Sequence, residues 1–73
     1  MTVYIDRMGH MVADTKSELH AFAKKIGLKE EWYQDKRLPH YDVWGSMVKH
    51  ALDGGAEQIS YREMVQRSKD MGE

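Results

Sequence analysis

His10, Asp14, His40 and Asp42 are the residues of this chain whose types best suit chemistry. An imidazole can move a proton or ligate a metal, and a carboxylate beside it can do either. They fall in short polar segments: Asp6-Arg7-Met8-Gly9-His10, Asp14-Thr15, Glu18-Leu19-His20 and His40-Tyr41-Asp42. Arg7 and Arg37 are the cations placed to meet an anion. Structural roles compete for several of these residues. Asp14 could serve a helix dipole, Asp42 could cap a helix, and Glu18 completes a capping box. Glu18 and His20 would lie about 200° apart on a helix, so they cannot share one metal. His20 falls in a row with Lys16 and Lys24 that reads as a solvated face, and His50 reads as a boundary residue of a later helix. No zinc-protease His-Glu-x-x-His, phosphate loop, Gly-x-Ser-x-Gly or Gly-x-Gly-x-x-Gly occurs.

The elements that would position these residues are legible in outline. Val3, Tyr4 and Ile5 favour a strand over 2–6, continuous enough to be buried on both faces. Residues 7–13 read as a loop with Gly9 as its flexible point. Thr15-Lys16-Ser17-Glu18 opens a helix over 15–26. Leu19, Phe22, Ala23 and Ile26 make its apolar stripe, and Gly27 ends it. Residues 30–34 suggest one short helical turn, and Asp35 to His40 a loop around the single proline, Pro39. Val43, Trp44, Met47, Val48, Ala51 and Leu52 give a second helix over about 43–53, capped by Asp42 or, if shorter, by Ser46. Gln58 and Ile59, with Glu57 as a further candidate, suggest a very short second strand. Ser60-Tyr61-Arg62-Glu63 opens a third helix to about Met71. The expectation is an α/β domain ordered β-α-(turn)-α-β-α with a minimal parallel sheet, a small α+β domain being the alternative.

Seventy-three residues make one small domain with a thin core. With 11 basic and 12 acidic residues the chain is neither a polybasic nucleic-acid module nor an acidic tail. Absence of cysteine excludes disulfides and thiolate zinc sites. No apolar run reaches the roughly 18–20 residues that span a bilayer, and the N-terminus lacks signal-peptide character. A cytoplasmic protein with no membrane partner is therefore expected.

One longer pattern resembles a known family. Ala13-Asp14-Thr15-Lys16-Ser17-Glu18-Leu19-His20 through Leu28, then Trp32-Tyr33-Gln34, His40-Tyr41-Asp42 and Gly55-Ala56, follow in the order of a small bacterial and bacteriophage domain family of unknown function. The resemblance covers about residues 1–65. It implies no activity. It marks His10, Asp14, Glu18, His20, Trp32, Gln34, His40, Tyr41 and Asp42 as motif positions, and so adds His20, Gln34 and Tyr41 as ligand-binding candidates. Two departures stand out. The loop before His10 is shorter than the pattern, and Val43-Trp44-Gly45-Ser46-Met47-Val48 lacks the basic residues expected after the serine.

If the loop after the first strand and the starts of both helices share one edge, imidazoles, carboxylates and positive dipole ends converge. Such a site would bind a phosphorylated ligand, a nucleotide or nucleic acid; it could also hold a divalent metal, and both binding alone and metal-assisted hydrolysis are open to it, with the histidines as acid/base groups or metal ligands. His10, Asp14, His40 and Asp42 would act, with Arg7 and Arg37 on the anion. Dense aromatics at Trp32, Tyr33, Tyr41 and Trp44 could stack on bases or fill the core. The alternative is a non-catalytic protein that modulates a host protein, with self-association also in play. DNA binding through the third helix ranks last, because Glu63 and Asp70 offset its cations.

Overall fold

The computed structural model describes residues 2–73. The chain forms strands β1 (Val3–Ile5) and β2 (His10–Ala13), helix α1 (Lys16–Lys25) and a single 3-10 turn (Glu30–Trp32). Strands β3 (Tyr33–Gln34) and β4 (His40–Asp42), helix α2 (Ser46–Asp53), strand β5 (Glu57–Gln58) and helix α3 (Tyr61–Asp70) complete it. One sheet runs β3-β4-β2-β1-β5. Only β1 and β5 pair in parallel; the other three pairings are antiparallel. The protein is thus a small α+β domain with a mixed five-stranded sheet. The expected β-α-(turn)-α-β-α order and minimal parallel sheet are corrected accordingly.

The correction has a local cause. Residues 7–13, read as a loop, are a tight hairpin turn followed by the central strand β2. Gly9 makes the turn. It sits at φ +88, and a Cβ there would lie 1.9 Å from the Val43 carbonyl oxygen. The Gly9 carbonyl accepts from Val43 N–H at 2.7 Å, which ties the turn to the end of β4. The expected loop around Pro39 likewise gives way to β4 one residue after the proline. Asp42 therefore lies inside a strand and caps no helix. Helix α2 begins three residues later than expected, after Gly45, with no side-chain cap.

Both faces of the sheet are covered. Alternation along each strand sends Val3, Ile5, Met11, Ala13 and Tyr41 to one face, where Leu19 and Ala23 of α1 and Ala51 of α2 complete the larger core. Tyr4 and Val12 face the other way and meet Met64 of α3. Burial from both sides explains why Val3-Tyr4-Ile5 reads as continuous apolar sequence. Thr15 and Ser60 cap their helices as expected, accepting from Glu18 N–H and Glu63 N–H, both at 3.1 Å. At the far end of α1, Gly27 adopts φ +88 and Leu28 is buried beyond it. Buried Ser68 pins α3 to the segment before β4 by donating to the Pro39 carbonyl at 2.8 Å. Among the described residues no helix is long and apolar enough to cross a membrane.

Candidate functional site

Strand register assembles the site. In antiparallel pairing, residues directly opposite each other share a face. His10 pairs with Asp42 across β2 and β4, and His40 pairs with Gln34 across β4 and β3. His40 and Asp42 are two apart on one strand, so they share a face as well. All four residues therefore lie on the α3 side of the sheet. The His10 and His40 rings meet edge to face at a centroid distance of 5.0 Å. Tyr61, the first residue of α3, stands 5.9 Å from the His10 ring.

Each imidazole is oriented through its Nδ1. Asp6 is 1% exposed and holds the turn and the ring together. Its Oδ1 accepts from the Met8 and His10 N–H groups, each at 2.9 Å. Its Oδ2 receives His10 Nδ1, also at 2.9 Å. A carboxylate only accepts, so this bond assigns the proton to Nδ1 and leaves Nε2 as the ring's free nitrogen. His40 Nδ1 donates to the Leu38 carbonyl at 2.6 Å, and its Nε2 lies 3.2 Å from Asp42 Oδ1. Donor atoms from His10, His40 and Asp42 all fall within 4.8 Å of one another. Ligands of one ion, each about 2.0–2.2 Å from it, sit roughly 3.4 Å apart in a tetrahedral site. The His40–Asp42 pair already has that spacing. A buried carboxylate and a backbone carbonyl on the outer nitrogens is the support that metal-binding histidines characteristically have.

Two clefts flank this cluster. One, of about 760 Å³, is lined by Arg7, Met8, Gln58, Ile59, Ser60, Tyr61 and Glu63. The other, of about 380 Å³, includes His40 and the cations Lys36, Arg37 and Lys69. Among the described residues these three cations make no ion pair.

The remaining candidates lie elsewhere. Asp14 is at the opposite end of β2, roughly 13 Å along the strand from His10. There it accepts from Thr2 N–H at 3.2 Å and from the Tyr4 hydroxyl at 3.0 Å. Arg67 stacks on the same Tyr4 ring at 3.9 Å. Its hydrogen bond to Glu63 is the main cause holding the guanidinium proton more tightly than usual. His20 and Tyr41 occupy the other face of the sheet, joined by a 2.7 Å hydrogen bond. The row with Lys16 and Lys24 is thus not wholly solvated, since His20 is half-buried against Tyr33 and Tyr41. Burial, then the charges of Glu30 and Tyr33, raises the Tyr41 pKa above its ordinary value. Of the aromatics, Tyr41 is core, Trp32 and Tyr33 pack against the core, and Trp44 is 56% exposed. His50 is exposed. Asp6 and Tyr61 stood outside the candidate set. Asp6, four residues before His10 with Gly9 between, was the legible signal of a hairpin; Tyr61 had none beyond its place beside a helix cap.

No curated protein and no solved structure matches this chain. Residues 2–71 match the model of the family described as "Protein of unknown function (DUF4031)", and the chain belongs to that family.

Proposed function

We propose that His10, His40 and Asp42 bind a divalent transition-metal ion, and that the ion acts on a phosphorylated ligand whose charge is met by Lys36, Arg37 and Lys69. One observation carries the reading: His40 is flanked by oxygen acceptors at both ring nitrogens, Leu38 O at 2.6 Å and Asp42 Oδ1 at 3.2 Å. With the Nδ1 proton given to the carbonyl, a neutral ring offers Asp42 only a lone pair. Either a second proton or a cation must lie between Nε2 and the carboxylate. The cation is the reading proposed, because His10 beside them would complete a two-histidine, one-carboxylate site with open positions.

A divalent ion held by His10, His40 and Asp42 would supply a water acidic enough to give up a proton near neutral pH. The reaction it supports is phosphoester hydrolysis. Hydrolysis would form a bond from the water oxygen to phosphorus and break the bond from phosphorus to the ester oxygen, while one O–H bond of the water breaks and that proton ends on the leaving oxygen, giving an alcohol. The three unpaired cations would stabilise the charge spread over the phosphoryl oxygens. Asp14, distant from the cluster, has no part in this reading.

Titration of the metal-free protein with Zn2+ tests it. One ion should bind per chain, and His10→Ala or His40→Ala should each abolish the isotherm while the far-UV circular dichroism is kept. Unaltered zinc binding in both variants sinks the proposal. A non-catalytic partner protein is the second reading, favoured by the exposure of Met8 (71%) and Trp44 (56%). A protein partner retained by the His10→Ala/His40→Ala double variant would support it.

A further inference from the structure

We infer that the ligand is a nucleotide unit, its base held in the Arg7–Tyr61 cleft while its phosphate meets the histidine cluster; this rests on the metal–phosphate reading above. The cleft lies where a ligand should enter this sheet. Arg7 and Met8 follow the carboxyl end of β1, and Ile59 and Ser60 follow the carboxyl end of its parallel neighbour β5. Open parallel α/β sheets take ligands at the carboxyl ends of their strands, and the parallel pair of this mixed sheet ends at this cleft.

The walls suit a flat, uncharged, aromatic group. Tyr61 is 52% exposed and Met8 is 71% exposed, so both present apolar surface to the cleft. Tyr61 offers a ring face, Met8 a polarizable thioether and Arg7 a planar guanidinium, three groups that stack on bases. The acid in the wall, Glu63, is already neutralised by Arg67 at 2.8 Å. With that carboxylate paired, the wall offers no free acid to a metal.

Continuity with the cluster sets the polarity of the ligand. Tyr61, Val65 and Lys69 follow at i, i+4 and i+8, one row along α3. Tyr61 touches His10 at one end of that row, while Val65 and Lys69 share the cationic cleft with His40 at the other. A ligand laid along the row puts its ring on Tyr61, its phosphate over the histidines, and any further phosphate on Lys36, Arg37 and Lys69. A free nucleotide and the end of a single strand present the same chemistry.

Calorimetry on the zinc-loaded chain with AMP, ribose 5-phosphate and a 5′-phosphorylated hexathymidylate provides the test. AMP should bind about 5- to 100-fold more tightly than ribose 5-phosphate, the range of one stacked base. Tyr61→Ala should remove that advantage and Tyr61→Phe should retain it; Met8→Ala should reduce it in part. Hexathymidylate binding more tightly than AMP assigns the site to a polynucleotide end, and the reverse to a free nucleotide. Equal affinity for AMP and ribose 5-phosphate overturns the base site while leaving the phosphate reading standing. Failure of both to bind, with zinc bound, overturns the two together.

Discussion

Asp6 is the residue on which the candidate site turns. One oxygen of its carboxylate closes the β1–β2 turn and the other orients the His10 ring. Stability and metal affinity therefore separate in Asp6→Asn. An amide can still accept through one oxygen, yet it cannot supply the negative charge that raises the basicity of a ligating imidazole. Zinc affinity should fall about 10- to 100-fold, measured by competition with a chromogenic chelator. Gly9 offers the complementary change. Gly9→Ala forces a Cβ into the Val43 carbonyl and strains a left-handed backbone. It should cost about 1–3 kcal/mol or more, read as a lower urea midpoint, and should loosen the His10–Asp42 register. The chemistry of both histidines was readable from residue type alone. The choice between Asp42 and Asp14 was not, because it depends on strand register. Asp14 follows β2 at its far end and Asp42 pairs with His10, a distinction that no spacing along the chain encodes.

Among the elements, α1 and α3 were readable because local chemistry defines them: a hydroxyl cap, an apolar stripe, and for α1 a terminal glycine. Thr15→Ala removes the hydroxyl that accepts from Glu18 N–H at the start of α1 and should cost about 1 kcal/mol. Strands β2, β3 and β4 were not readable. Each is two to four residues long and mixes polar with apolar side chains. Their existence is decided by non-local partners rather than propensity. Strand β4 shows the consequence for function. Tyr41 points to the α1 face and is locked by His20, while His40 and Asp42 on either side point to the α3 face. The tyrosine thereby anchors the strand that presents His40 and Asp42. Its pKa is raised chiefly by burial. The folded state therefore holds the phenolic proton more tightly than the unfolded chain, so stability is complete below the unfolded value of 10.0 and declines as pH rises through the folded one. Alkaline denaturation should begin above about pH 10 and should be blunted in Tyr41→Phe, followed by circular dichroism at fixed urea.

At the scale of the whole molecule, a thin core makes ligand linkage visible. The described residues share one sheet with a helical layer on each face, and the smaller of the two cores rests on Tyr4, Val12 and Met64. What presses α3 onto the sheet is that small cluster, the Ser68–Pro39 hydrogen bond and the contacts at Tyr61. A metal held by His10, His40 and Asp42, as proposed, would act on the same region from below, cross-linking the central strand to its neighbour. An ion that binds only the folded state stabilises it by about 2.7 kcal/mol at one hundred times its dissociation constant. For a domain of this size a stabilisation of 1 kcal/mol raises the melting temperature by about 4–8 °C. Zinc at that excess should therefore shift the transition upward by at least about 10 °C, and a chelator should reverse it. The shift should shrink as the pH falls, because metal ligation displaces protons from the imidazoles. It should vanish in the His10→Ala/His40→Ala variant at every pH. An equal shift in that variant would place the ion elsewhere on the chain, and the three-residue site would then be a hydrogen-bonded brace between β2 and β4 and nothing more.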